Sequence, residues 1–184
     1  MTLSLKRPFS KGQKYSTLFQ KAGIILVLCY NPDNMEIKSK ILSYQTEEEL
    51  QFIDITEEVE KFVLESGIAE GFINIQTMHT TGAVLLNENE PLLIEDIKKN
   101  LKRVASKEVG YKHDDFKVRT VNMCDDECAN GHAHCKAVYL PSNIVLNVSS
   151  KKIQLGQWQR IFFIELDRPR PRKVHIQIMG KASA

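Results

Sequence analysis

The chain reads as a mixed α+β domain. Segments with strand character outnumber those with helical periodicity, and the two clear helices are short and amphipathic. The last third of the chain holds three strand candidates in a hairpin-like succession, which favours α+β over a repeated strand-helix-strand architecture.

Gly23 to Tyr30 is continuously apolar and β-rich, as suits a strand buried on both faces, and Asn31-Pro32-Asp33-Asn34 supplies the turn after it. A second strand is expected around Leu50 to Ile55. Thr56 can cap the helix that follows, with Val59, Phe62 and Val63 on its apolar face and Gly67 at its end. Phe72 to Met78 and Ala83 to Leu86 read as strands joined by His79-Thr80-Thr81-Gly82. Pro91 opens a second helix where its missing donor costs nothing, and Leu93, Ile97, Leu101 and Val104 form its apolar stripe. From Ser106 to Gly131 no period survives, so this is a long functional loop. Asn130 can cap a helix near His132, which puts His134 in its first turn. Asn143 to Val148, Trp158 to Leu166 and Lys173 to Met179 are the closing strands; Trp158 reads as core packing. Arg168-Pro169-Arg170-Pro171-Arg172 must be extended, since each proline restricts itself and its predecessor.

A chain of 184 residues fits one domain. A net charge of +2, with Lys and Arg dispersed among nearly as many acids, argues against a dedicated nucleic-acid binder. The basic opening, Lys6 to Lys21, precedes an apolar run far too short to span a bilayer. Four cysteines without a secretory signal read as reduced thiols, which implies a cytoplasmic protein.

Three of the five histidines, His79, His113 and His134, stand in polar surroundings at the edges of apolar segments. Three neutral imidazoles can bind a divalent metal, zinc before magnesium, and leave a fourth position for water or substrate. A helix start at His134 would keep its ring neutral and ready to ligate. Each histidine could instead simply hydrogen-bond a loop. Cys124, Cys128, His132, His134 and Cys135 form a denser cluster, but the gap between Cys128 and His132 is short for a structural zinc motif, and free thiols are the simpler reading. Glu88 could act as a general base or support a metal ligand; a solvated turn before the Pro91 helix explains the same acids equally well. Gln159 could donate to substrate. Arg168, Arg170 and Arg172 could clamp a phosphate in bidentate fashion, or pair with Asp167, Glu165 or a neighbouring subunit.

Taken in order, His79-Thr80-Thr81-Gly82-Ala83-Val84, Asn87-Glu88-Asn89, Asp96, Tyr111-x-His113, Asn130-x-x-Ala133-His134, Leu155-Gly156-x-Trp158-Gln159-x-Ile161 and Glu165-Leu166-Asp167-x-Pro169-Arg170-x-Arg172 resemble the YjbQ-like family. The resemblance runs from Ile24 to Gly180, leaving residues 1–22 as a basic N-terminal extension of a single domain. Gln157, where the family usually has threonine, and the Met123 to Gly131 stretch depart from the pattern.

The resemblance implies a compact α+β fold with a mostly antiparallel or mixed sheet, assembled as a homotrimer around a histidine-lined pocket. His79, His113 and His134 occupy the matching positions and are expected to hold the metal; His132 falls where the family varies. Glu88, Asn89 and Gln159 also match family positions and are expected to be catalytic. Members are described as secondary thiamine-phosphate synthases, joining a pyrimidine diphosphate to a thiazole phosphate and releasing pyrophosphate, whose remaining charge Arg170 or Arg172 could offset. The same residues would serve a metal-dependent phosphate- or carboxylic-ester hydrolase. A non-enzymatic zinc-binding or assembly role stays open. The expected partner is a small phosphorylated substrate, with neither nucleic acid nor membrane.

Overall fold

A computed structural model describes the backbone of residues 15–21 and 24–30 and residues 35–125 and 127–182. Its order is β1 (Tyr15–Lys21), β2 (Ile24–Tyr30), β3 (Met35–Gln45), β4 (Phe52–Asp54), α1 (Thr56–Ser66), β5 (Ile68–Thr77), β6 (Gly82–Asn87), α2 (Pro91–Val104), a 3-10 turn at Lys112–Asp114, α3 (Gly131–Ala137), β7 (Asn143–Ser149), β8 (Lys152–Ile153), β9 (Arg160–Glu165) and β10 (Pro171–Ala182). The α+β class is as expected, and every strand pairing is antiparallel. β1 and β2 form a hairpin; the other sheets run β3-β10-β5-β7-β8 and β4-β9-β6. The expected first strand is thus β2, while the burial expected of its side chains lies outside the described residues.

Three layers follow from the side-chain pattern. β10 alternates, burying Arg172, Val174, Ile176 and Ile178. With Ile73, Ile75, Leu146 and Leu42 its apolar side chains cover one face of the large sheet, against α1 (Val59, Phe62, Val63) and against Val84, Ile161 and Phe163 of the small one. β9 is buried on both faces, as its unbroken Ile161-Phe162-Phe163-Ile164 run demands. Phe162 and Ile164 point the other way, into a second core with Leu50, Ala83, Leu101 and Ala133. α2 and α3 cover that side. Of the predicted α2 stripe only Leu101 is fully buried, Val104 being exposed.

The other face of the large sheet is bare. Across it, β3 pairs Ile37 with Met179 and Ile41 with His175, and Met179 faces Phe72 on β5. Ile37, Ile41, Phe72 and Val145 are all exposed. β3 escaped the sequence pattern because it is an edge strand that buries only Leu42 and turns mixed Ile, Lys and Ser outward.

Two helix starts differ from expectation. Ile55, not Thr56, is the N-cap of α1; Asp54 Oδ1 accepts from the Thr56 amide at 3.0 Å and from its hydroxyl at 2.6 Å. Thr56 Oγ1 in turn accepts from the Ile161 amide at 2.8 Å, tying α1 to β9. Asn130 caps α3 only with its backbone; its amides and those of Gly131 find Asp114 Oδ1 at 2.9 and 2.8 Å instead. Glu90 caps α2 as a helix beginning with proline requires, its carboxylate accepting from Leu92 and Leu93. Asp167 to Pro169 bends, and extended structure resumes at Pro171, so the proline-arginine run is extended only in its last part.

Candidate functional site

The capping of α3 by Asp114 explains how His113 reaches His134. A carboxylate one residue after His113 is pinned to the first turn of the helix that carries His134. Tyr111 packs so tightly on Gly131 that a Cβ there would lie 2.5 Å from the tyrosine Cβ, so only glycine admits this approach. Arg119 draws the rest of the loop together, donating to the His113, Val121 and Asn122 carbonyls and pairing with Glu127 at 3.2 Å. The rings of His113 and His134 consequently meet edge to face, with centroids 4.7 Å apart at 66°. His113 Nε2 is buried without a hydrogen-bond partner. Burial, then the neighbouring His113 and Arg119, hold the His134 ring below the usual histidine pKa.

His79 stands where β5 ends. The Lys173 amide donates to its Nε2 at 2.8 Å, which leaves Nδ1 to carry the proton of the neutral ring. Burial first, then Arg172, Arg170 and Lys173, push its pKa down, while Glu165 opposes them. Arg172 itself is buried, its guanidinium bonded to both oxygens of the fully buried Glu165 and to Thr81 Oγ1 at 2.9 Å. Glu165 also accepts from Thr46 and from the Asp167 amide. The paired reading of these arginines holds here, and Arg172 spends its donors inside the protein. Arg170 keeps more access: it pairs with Asp167 Oδ2 at 2.9 Å and reaches Cys128 Sγ at 3.7 Å. The Asp167 oxygen is badly angled for a true hydrogen bond, and burial raises its pKa. Cys128 follows Glu127, so the loop holding the His113–His134 pair comes down on Arg170.

Glu88, Asn89 and Gln159 lie elsewhere. β6 and β9 pair Gly82 with Glu165 at one end and Asn87 with Arg160 at the other. Five steps of strand put roughly 17 Å between these ends. The histidine-arginine group sits at the first and the Glu88 group at the second. Asn89 donates to Asp54 Oδ2 at 2.9 Å, beside Arg160 at 2.7 Å; Gln159 Oε1 accepts from the Gly156 amide at 2.8 Å. Asp54 sits low in pKa because Thr56, Arg160 and Asn89 bond its ionised form against the cost of burial.

Among the described residues of one chain, no group of three or more His, Cys, Asp or Glu side chains is placed to hold a metal ion. His113 and His134 come together as expected, and His79 does not join them in such a set. Cys124, Cys128 and Cys135 are free thiols. The reading of the sequence passed over Asp54 and Asp114, whose capping roles no local spacing announces, and a buried group behind α3. There Lys136 Nζ lies 2.8 Å from His132 Nδ1 and 3.4 Å from Glu49, which Lys107 also pairs. Burial and then Lys136 push the His132 pKa down to about 4.

Comparison with known proteins agrees with this architecture. Residues 40–181 match the family described as UPF0047 protein YjbQ-like. A UPF0047 protein of Archaeoglobus fulgidus is 38% identical over 75% of this chain and 98% of its own, and one of Methanothermobacter thermautotrophicus is 34% identical over 80% and 95%. Among solved structures, a YbjQ-like protein of unknown function from Sulfolobus solfataricus P2 superposes with a TM-score of 0.70 at 34% identity, covering 80% of this chain and 99% of that one. A YjbQ/UPF0047 protein of Clostridium acetobutylicum gives 0.66 at 37%, covering 76% and 98%. No helix among the described residues is long and apolar enough to cross a membrane.

Proposed function

The chain belongs to the UPF0047 YjbQ-like family, and from its histidine-arginine end we propose that it is a cytoplasmic, metal-dependent enzyme acting on a small phosphorylated substrate. The observation that carries this reading is the surroundings of His79: a ring kept neutral by burial and by three cationic neighbours, beside the partly open Arg170. Such a cluster attracts a phosphate and offers it a directed N–H donor at Nδ1. Arg172, locked on Glu165, contributes its field and the placement of the strand rather than a direct contact.

Fitness for a metal is supported in part. The orphaned Nε2 of His113 and the neutral-leaning ring of His134 suit two of the three protein ligands that an open zinc site uses. We propose that the third comes from a neighbouring copy in a homotrimer, for which the bare face carrying Ile37, Ile41, Phe72 and Val145 offers apolar area. A bound divalent ion, zinc before magnesium, would neutralise charge on a departing pyrophosphate.

The reaction we propose is of the secondary thiamine-phosphate synthase kind. A pyrimidine methylene loses its oxygen bond, the electron pair leaves on pyrophosphate, and the thiazole nitrogen forms the new carbon–nitrogen bond. Arg170 orients the phosphates, His79 Nδ1 donates to them, and Glu88, Asn89 and Gln159 serve the second end of the sheet. To test this, the zinc-loaded protein is incubated with hydroxymethylpyrimidine diphosphate and thiazole phosphate. Pyrophosphate release that needs both compounds is expected; turnover of single phosphate or carboxylic esters would select a hydrolase, and neither activity would leave a non-enzymatic protein.

A further inference from the structure

The only tryptophan of the chain is not in the core. Trp158 is 65% exposed and borders an open cavity of about 370 Å³ at the Glu88 end of β6 and β9. Glu88, Asn87, Gln157 and Gln159 line the same space, with Leu86 at its floor. The loop's own bonds account for two of these groups: Asn87 Oδ1 accepts from the Glu88 amide at 2.9 Å, and Gln159 Oε1 from the Gly156 amide. The Glu88 carboxylate, the Gln157 amide and the Trp158 indole have no partner among the described residues.

An indole held in water costs hydrophobic free energy, and an unpaired carboxylate beside it is an acceptor without a donor. We infer that this cavity binds a planar, amino-substituted nitrogen heterocycle, stacked on Trp158 with its amino group donating to Glu88. A flat ring matches the indole face, whose quadrupole favours electron-poor or cationic rings. The carboxylate accepts only, so it selects ligands that present N–H groups, and the amides of Asn87 and Gln159 retain their NH₂ donors for ring nitrogens. The volume fits one or two fused rings, within the range of small-molecule sites. Taking this ligand for the heterocyclic half of a substrate rests on the enzyme reading above; the binding itself does not.

Because Trp158 is the sole tryptophan, intrinsic fluorescence reads the site directly. Titration with 4-aminopyrimidine is expected to quench it saturably, whereas unsubstituted pyrimidine binds about tenfold more weakly or worse. Glu88→Gln should weaken 4-aminopyrimidine about tenfold, and Trp158→Ala, followed by calorimetry, by a similar factor. Both residues are exposed, so unchanged melting temperatures confirm folded variants. No saturable quenching up to about 10 mM, equal binding of both pyrimidines, or quenching by glucose instead would overturn the inference. Binding of 4-aminopyrimidine by a protein that forms no product upholds the cavity and sinks the synthase. Product formation without such binding does the reverse.

Discussion

Arg172→Met isolates the buried ion pair on which the histidine-arginine end is built. Arg172 is 3% exposed and Glu165 fully buried, and the guanidinium meets both carboxylate oxygens as well as Thr81. Removing the cation leaves a carboxylate in the protein interior with only Thr46 and the Asp167 amide to bond it. Breaking a buried pair in this way costs about 3–5 kcal/mol. For a chain of this size that is roughly 6–20 °C in melting temperature. Calorimetry or urea unfolding reads it, at low and high salt, because a buried pair is screened little. Arg172→Met/Glu165→Gln should be more stable than Arg172→Met alone, since the amide keeps an acceptor for Asp167 without the charge. The reasoning fails if Arg172→Met loses under about 1 kcal/mol, or if the second substitution adds its own loss to the first.

His132 links stability to pH. Its ring accepts from Lys136 and resists protonation down to about pH 4, whereas in the unfolded chain it takes a proton near the ordinary 6.5. Falling pH therefore favours the unfolded state: stability is intact above about pH 6.5 and up to about 3 kcal/mol is lost by about pH 4. Urea unfolding across this window should show that slope, and His132→Gln should flatten it; identical slopes would remove His132 as the cause. Gly131→Ala drives a methyl into Tyr111 and should cost about 1–3 kcal/mol while separating His113 from His134. Unchanged melting temperature and unchanged imidazole proton shifts in the variant would show that the loop yields freely.

Elements with a strong period were legible in the residues. β9 announced itself by an apolar run, α2 by Pro91 with acids ahead of it, and α1 by the spacing of Val59, Phe62 and Val63 and by Gly67, which ends it in the left-handed region. Caps set by distant partners were not. Asp114 is sixteen residues before Asn130, and no local pattern marks it as the acceptor for α3. Trp158 begins an apolar strand yet points to solvent, because the chain is still turning at Gly156 to Gln159 and the buried face begins only at Ile161. The expectation of one pocket missed a constraint that the sequence does contain. His79 to Thr81 precede β6 and Glu88 follows it, so a six-residue strand holds the two groups at opposite ends of one chain.

The zinc content of the purified protein, measured by elemental analysis against a His113→Ala/His134→Ala variant of unchanged melting temperature, tests the central claim most directly. One tightly held divalent ion per chain in the wild type, and its loss from the variant, is the predicted result. Equal metal in both proteins, or none in either after reconstitution, would contradict it.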